Sequence, residues 1–215
     1  NSSLTTDGVM YYDGTKVSST IAGYSGQVLT SNGAGIAPGY RKGSLILLSS
    51  QAVLLAATVD FNSLITSTYN NYFLLVSNVS QTVAHNALTL LVSTDNGSTY
   101  VGGTAYKYGI GIRQYNTNSI LNMNASTSST LVTRAANQSA TPTTPLNGFL
   151  YISNVNTNTT TTQGSIGYKD NSLNQFACAY SISEISAGAS VNAIRLTFGG
   201  TALASGTFTL FAIPG

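Results

Sequence analysis

The segment Val191-Asn192-Ala193-Ile194-Arg195-Leu196-Thr197-Phe198 alternates with a period of two. In an extended chain Asn192, Ile194, Leu196 and Phe198 share one face and Val191, Ala193, Arg195 and Thr197 the other. The segment therefore reads as a strand with one apolar side and its single cation on the opposite side. The following run, Gly206 to Ile213, sets Phe208, Leu210 and Ala212 against Thr207, Thr209, Phe211 and Ile213, so both faces carry bulky apolar groups. A strand apolar on both sides is covered on both sides. A second sheet supplies one cover, and a neighbouring subunit could supply the other.

The same reading works outward along the chain. Strands are expected at Ser44 to Ser50, Ala52 to Val59, Tyr72 to Val79, Ala87 to Ser93, Gly109 to Tyr115, Ser129 to Arg134, Gly148 to Ser153, Gly164 to Tyr168 and Gln175 to Ile182. Between them lie loops rich in Gly, Asn, Asp and Ser, while no amphipathic period near 3.6 is sustained. Short strands at this spacing argue for an all-β, antiparallel β-sandwich. Residues 1–43 differ: Asp7-Gly8, Asp13-Gly14, Asn32-Gly33-Ala34-Gly35 and Pro38-Gly39 put a turn signal every few residues. Too few apolar positions remain for a core, so an extended N-terminal stem, 1–43, is expected to precede a head domain, 44–215. Val9, Val17, Ile21, Val28, Leu29 and Ile36 of that stem would need neighbouring chains for burial.

Composition narrows the function classes. Only 7% of the 215 residues are charged, with a formal net charge of +2, against roughly 25% charged in ordinary soluble domains. Attraction to nucleic acid or to acidic membranes is therefore not expected. Ser, Thr and Asn, about a third of the chain, supply the polarity instead. The 42% hydrophobic content suffices for a core and excludes disorder of the whole chain. No apolar run is long enough for a membrane helix, and Asn1-Ser-Ser-Leu-Thr-Thr6 lacks the flanks of a signal peptide, so a soluble protein without membrane insertion is expected. Residue 1 is not Met, which reads as a processed or excised start. One Cys excludes an internal disulfide, and one His excludes the usual clustered zinc sites.

The stretch Gly26-Gln27-Val28-Leu29-Thr30-Ser31-Asn32-Gly33-Ala34-Gly35-Ile36-Ala37-Pro38-Gly39-Tyr40 resembles a Gly-Gln-Val-Leu-Thr-Ser-Asn-Gly-Ala-Gly element that recurs in bacteriophage tail fibres and other virion appendages, with Tyr40 where Trp is usual. Val59-Asp60-Phe61, Ser93-Thr94-Asp95-Asn96-Gly97-Ser98-Thr99-Tyr100, Val191 to Arg195 and the close Ala204-Ser205-Gly206-Thr207-Phe208-Thr209-Leu210-Phe211 resemble successive landmarks of such a head domain. The resemblance implies a jelly-roll-like head on an intertwined stem, in a non-enzymatic homotrimeric fibre or spike component at the surface of an extracellular virion. It also implies other virion proteins as partners through the stem, and host-surface attachment, for which a glycan is the expected receptor. A capsid-decoration, head-fibre or adaptor role is the first alternative and a polysaccharide depolymerase the second. No cofactor is implied.

Few side chains offer chemistry. A depolymerase needs two carboxylates across the scissile bond. Of the six acids, Asp7 and Asp13 lie in the stem, Asp95 and Asp170 read as turn residues, and only Asp60 and Glu184 lack a turn role. His85 has no acidic neighbour in sequence nearer than Asp95 and reads as a loop histidine. Cys178 alternates with Phe176, Tyr180 and Ile182 and reads as a small buried hydrophobe on their face. Thr157-Asn-Thr-Thr-Thr-Thr162 reads as a polar loop, and the six Asn-x-Ser/Thr triplets are about the number chance gives. The candidate receptor contacts are Tyr106, Tyr108, Arg113 and Tyr115, because Tyr and Arg at a fibre tip can stack on sugar rings and bond hydroxyls.

Overall fold

The computed structural model describes residues 4–24, 26–83, 86–115, 120–127, 129–133, 145–170, 175–199 and 201–214. Among them every regular element is a strand. The chain divides into two compact units, residues 1–46 with 214 and residues 47–213 with 215.

The first unit holds two hairpins. β1 (Met10–Tyr12) pairs antiparallel with β2 (Val17–Ser19), and β3 (Gln27–Thr30) with β4 (Gly39–Lys42). Asp13 organises the first turn, its carboxylate accepting the Thr15 and Lys16 amides at 2.9 Å and the Ser18 hydroxyl at 3.0 Å. Asn32 closes the second loop by donating to the Ala37 carbonyl at 2.7 Å and accepting from the Arg41 guanidinium at 3.0 Å. The segment thus folds back on itself twice instead of running as one extended stem. Val9, Val17, Ile21, Val28, Leu29 and Ile36 all remain exposed.

The second unit contains β5 (Ile46–Ala56, its first residue in the first unit), β6 (Thr58–Asn62), β7 (Asn71–Gln81), β8 (Thr89–Ser93), β9 (Tyr106–Gln114) and β10 (Ile120–Thr127). After them come β11 (Thr130–Leu131), β12 (Leu146–Ser153), β13 (Thr159–Asp170), β14 (Gln175–Ser186), β15 (Ala193–Thr197) and β16 (Leu203–Ile213). An eight-stranded sheet has the order β10-β9-β14-β13-β12-β7-β16-β5, and a four-stranded sheet the order β11-β8-β15-β6. Among the described residues the strand pairings are antiparallel, and the result is the expected β-sandwich.

Alternation fills the space between the sheets. One inner row of the large sheet runs Ile112, Ala179, Ile166, Gly148, Val76, Phe208, and the next runs Ile110, Ser181, Gly164, Leu150, Leu74, Leu210. The small sheet contributes Val92, Ile194, Phe61 and Leu90, Leu196, Val59. All of the apolar residues in these rows are buried. Gly148 is required by backbone proximity: a Cβ there would stand 2.1 Å from the Ser165 carbonyl oxygen. Gly206 is required by a bulge in β16, where its φ of 126° would strain any L side chain and a Cβ would meet Val79 Cα at 2.5 Å.

Three sequence expectations are corrected. The run Ala52 to Val59 is two strands, broken at Ala57 between Leu55, whose φ is 53°, and Thr58. Thr159 to Thr162 belong to β13 and not to a polar loop; Thr160 and Thr162 are buried, and the Thr162 hydroxyl bonds that of Ser183 at 2.7 Å. Branching at Cβ suits threonine to a strand whose neighbours offer hydroxyl partners. On β14 the faces are reversed from expectation: Ala177, Ala179, Ser181, Ser183 and Ile185 point inward, while Phe176, Tyr180 and Ile182 are 63%, 55% and 64% exposed and Cys178 is half-buried among them. The large flanking residues Ile112 and Ile166 fill the interior, so β14 needs only small side chains there.

Tyr106 joins the two sheets. It is fully buried on β9, and its hydroxyl accepts the Val92 amide of β8 at 2.9 Å. β11 pairs with β8 only at Thr89 and Leu90, so the hydroxyl serves the Val92 amide on the side away from β15, which β11 does not reach. Burial pushes its pKa up to about 12, so the group is neutral at any ordinary pH. Tyr106→Phe should lower stability by about 1–3 kcal/mol in urea unfolding, the cost of an unsatisfied buried amide. A variant as stable as the parent would show that this tie is dispensable.

Candidate functional site

The four candidate contacts share β9 or its end, but alternation parts them. Tyr106 faces the core and is not available to a ligand. Tyr108 is half-buried and lines a depression of about 610 Å³ with Lys107, Gly109, Ala125, Ile182, Ser183 and Glu184. Lys107 and Glu184 are paired across that depression at 3.2 Å. Arg113 and Tyr115 are exposed on the outer face and belong to a second depression of about 440 Å³, with Gly167, Phe176, Cys178 and Tyr180. Arg113 makes no ion pair among the described residues.

Register explains this relief. On the outer face Tyr180 stands between Gly111 of β9 and Ser165 of β13, and Cys178 between Arg113 and Gly167. Ile182 stands between Gly109 and Gln163. The large residues of β14 therefore form a ridge notched at Cys178, with small or no side chains on both flanks of Tyr180 and on the β9 flank of Ile182, and with Lys169 beside Phe176. The Cys178 sulfur lies 3.2 Å from the Ser165 hydroxyl, and the neighbouring Cys178 side chain raises the Tyr180 pKa. Reading the sequence did not assign Phe176 and Tyr180 to this site. The available signal was the row of small residues on the alternate face of β14, which suits a strand packed inward between larger neighbours.

The acids are held in structural roles. Asp60 makes a two-point contact with Arg195, at 2.6 and 2.7 Å, and the Tyr100 ring covers that guanidinium at 4.1 Å. Glu184 pairs with Lys107. Asp95 accepts the Thr99 amide at 2.8 Å, the Thr99 hydroxyl at 2.6 Å and the Ser93 hydroxyl at 2.7 Å, as a turn-capping residue would. Asp170 departs from its expected turn role: it closes β13 fully buried, accepting the side-chain amide of Gln114. Among the described residues no group of three or more His, Cys, Asp or Glu is arranged to hold a metal. His85 lies outside the described residues.

Comparison with protein-family models, with curated proteins and with solved structures finds no match for this chain. The reading of the site accordingly rests on its own geometry.

The turn around Asp95 makes acid sensitivity predictable. Its hydrogen bonds, from Thr99 first, lower its pKa from 3.8 to about 2. A carboxylate with a lowered folded pKa contributes stability that is complete above its unfolded value and lost as pH falls through the folded one. The melting temperature of the parent should therefore drop between about pH 4 and pH 2, and that of Asp95→Asn should drop less over the same interval. Equal drops would locate the acid sensitivity elsewhere.

Proposed function

We propose that the chain is a non-enzymatic structural component of a bacteriophage virion, a homotrimeric fibre or spike part that contacts the host surface. The trimer and the virion come from the resemblance of the segment from Gly26 to Tyr40. The observation that carries the assembly side of the reading is how charge and apolar exposure are distributed over the large sheet. The strands β5, β16, β7 and β12 contain not one charged residue; every charge of that sheet lies on β9, β13 and β14. The charge-free half carries Phe73 stacked on Phe149 at 5.5 Å and near Phe211 at 6.4 Å, with Leu75 37% and Phe149 41% exposed. Its edge strand β5 presents Leu54 and Leu55, 81% and 68% exposed.

Leu55 is the sharpest of these features. A bulky residue at φ 53° is strained by roughly 1–3 kcal/mol, and here the strain turns two consecutive leucines to the outside at an open sheet edge. Packing against another copy would relieve the exposure, and a charge-free surface meets its own copy without repulsion. The depolymerase alternative fares worse. Its two available carboxylates, Asp60 and Glu184, sit on different sheets and each is already paired with a cation.

Sedimentation of the parent should give a trimer. The double change Leu54→Ser with Leu55→Ser should convert it to a monomer with little change in thermal stability. Leu55→Gly, which removes the strain, should raise the stability of the isolated chain by about 0.5–1 kcal/mol while weakening assembly. A monomeric parent, or a trimer indifferent to both leucines, would overturn the assembly reading. Imaging of the particle would distinguish a tail tip from a capsid decoration.

A further inference from the structure

We infer that the outer ridge of β14, from Phe176 to Ile182, binds a neutral oligosaccharide laid along the strand. This rests on the attachment reading above and gives it a site and a ligand class. Residues two apart on a strand are separated by about 6.6 Å, so the ridge is about 20 Å long, room for several sugar rings in sequence. A pyranose has a flat face of C–H groups and a rim of hydroxyls, and the ridge offers the matching pattern. Phe176 and Tyr180 provide exposed ring surface; Gly111 and Ser165 leave Tyr180 open from both flanks, and Phe176 stands between Tyr115 and Lys169.

Polar groups stand where a ring's rim would reach. Arg113 lies at the notch beside Cys178 as an unpaired donor among the described residues, and Tyr115 is 69% exposed next to it. At the other end the Lys107–Glu184 pair offers both donors and acceptors at the mouth of the first depression. The two depressions therefore lie at opposite ends of one ridge, consistent with a ligand that spans both. The contact surface itself is uncharged, the rings of Phe176 and Tyr180 and the Ile182 side chain, while of the three bordering cations Lys107 is matched by Glu184 and Arg113 and Lys169 stand at the Phe176 end. A second copy of this chain suits the ridge poorly, because Arg113, Lys107, Glu184 and Gln163 interrupt it with groups that an apolar interface would leave unsolvated.

The test is calorimetry of the intact assembled chain with three neutral probes: cellohexaose, maltohexaose and N-acetylchitohexaose. At least one should bind, and its affinity should change by less than about twofold between low and moderate salt, since few ion pairs are screened. Phe176→Ala and Tyr180→Ala should each weaken that binding by about tenfold or more, with sedimentation unchanged. Arg113→Lys should weaken it less. Failure of all three probes, binding unchanged in both ring variants, or loss of the trimer in either variant would overturn the site, the last by showing the ridge to be a subunit contact. Steep salt dependence with an acidic oligosaccharide alone would overturn the neutral ligand class. A parent that is monomeric yet binds a probe would refute the trimer and leave the ridge standing, so the two readings fail separately.

Discussion

The buried hydrogen bond from the Val92 amide to the Tyr106 hydroxyl is the constraint on which the sandwich turns. The covering sheet has strands of only two to five residues, and its edge partner β11 ends before it reaches Val92. An amide left bare inside an apolar layer is expensive, and a chain this poor in charge has few other means of satisfying it. A tyrosine reaching across from β9 does so while adding a large apolar body to the core. Two further polar ties work in the same way: the Gln51 amide donates to the Asp60 carbonyl at 2.8 Å, and the Tyr72 hydroxyl accepts the Thr66 amide at 2.9 Å. With the interior closed by neutral groups, the outer surface is left to carry other patterns.

Much of that interior was readable from alternation. Ile194, Leu196 and Phe198 are all fully buried on the face assigned to them, and Arg195 stands on the other. The errors come from places where size and burial part company. β14 puts alanines and serines inward and its aromatics outward, so a rule that equates large with inside inverts it. Tyr106 and Tyr108 have the same residue type and the same parity on one strand, yet one is sealed under the small sheet and the other is half-buried between β14 and the edge strand β10. Only the position of the second sheet separates them, and that position is a tertiary fact no local window contains. The hairpin of β3 and β4 was likewise hidden, because its turn chemistry was legible as turns without showing which strands they join.

The outer face of the large sheet divides along β13. In one row Tyr180 is followed across the sheet by Ser165, Phe149 and Leu75; in the next, Ile182 is followed by Gln163, Tyr151 and Phe73. Each row is apolar on both sides of a single polar residue. Ser165 and Gln163 thus separate the β14 ridge from the phenylalanine cluster, and the charged residues of the sheet lie on β13 itself or on the ridge side of it. Two surfaces so separated can serve different partners, because covering one need not occlude the other.

Register in such a chain needs anchors, since rows of Thr, Ser, Gly and Ala would tolerate slippage by two residues with little penalty. The ion pairs supply them. Arg195 opposes Asp60 directly across the β15–β6 ladder and grips both carboxylate oxygens, a geometry that one register alone allows. Lys107 opposes Glu184 in the same way on β9 and β14. Being largely exposed, the second pair contributes little stability, but its value here is in specifying alignment. It keeps Gly109 and Gly111 beside Ile182 and Tyr180. A slip of one residue along β9 would set Ile110 or Ile112 outward in their place, fill the trough beside the ridge, and bury glycine where the core requires isoleucine.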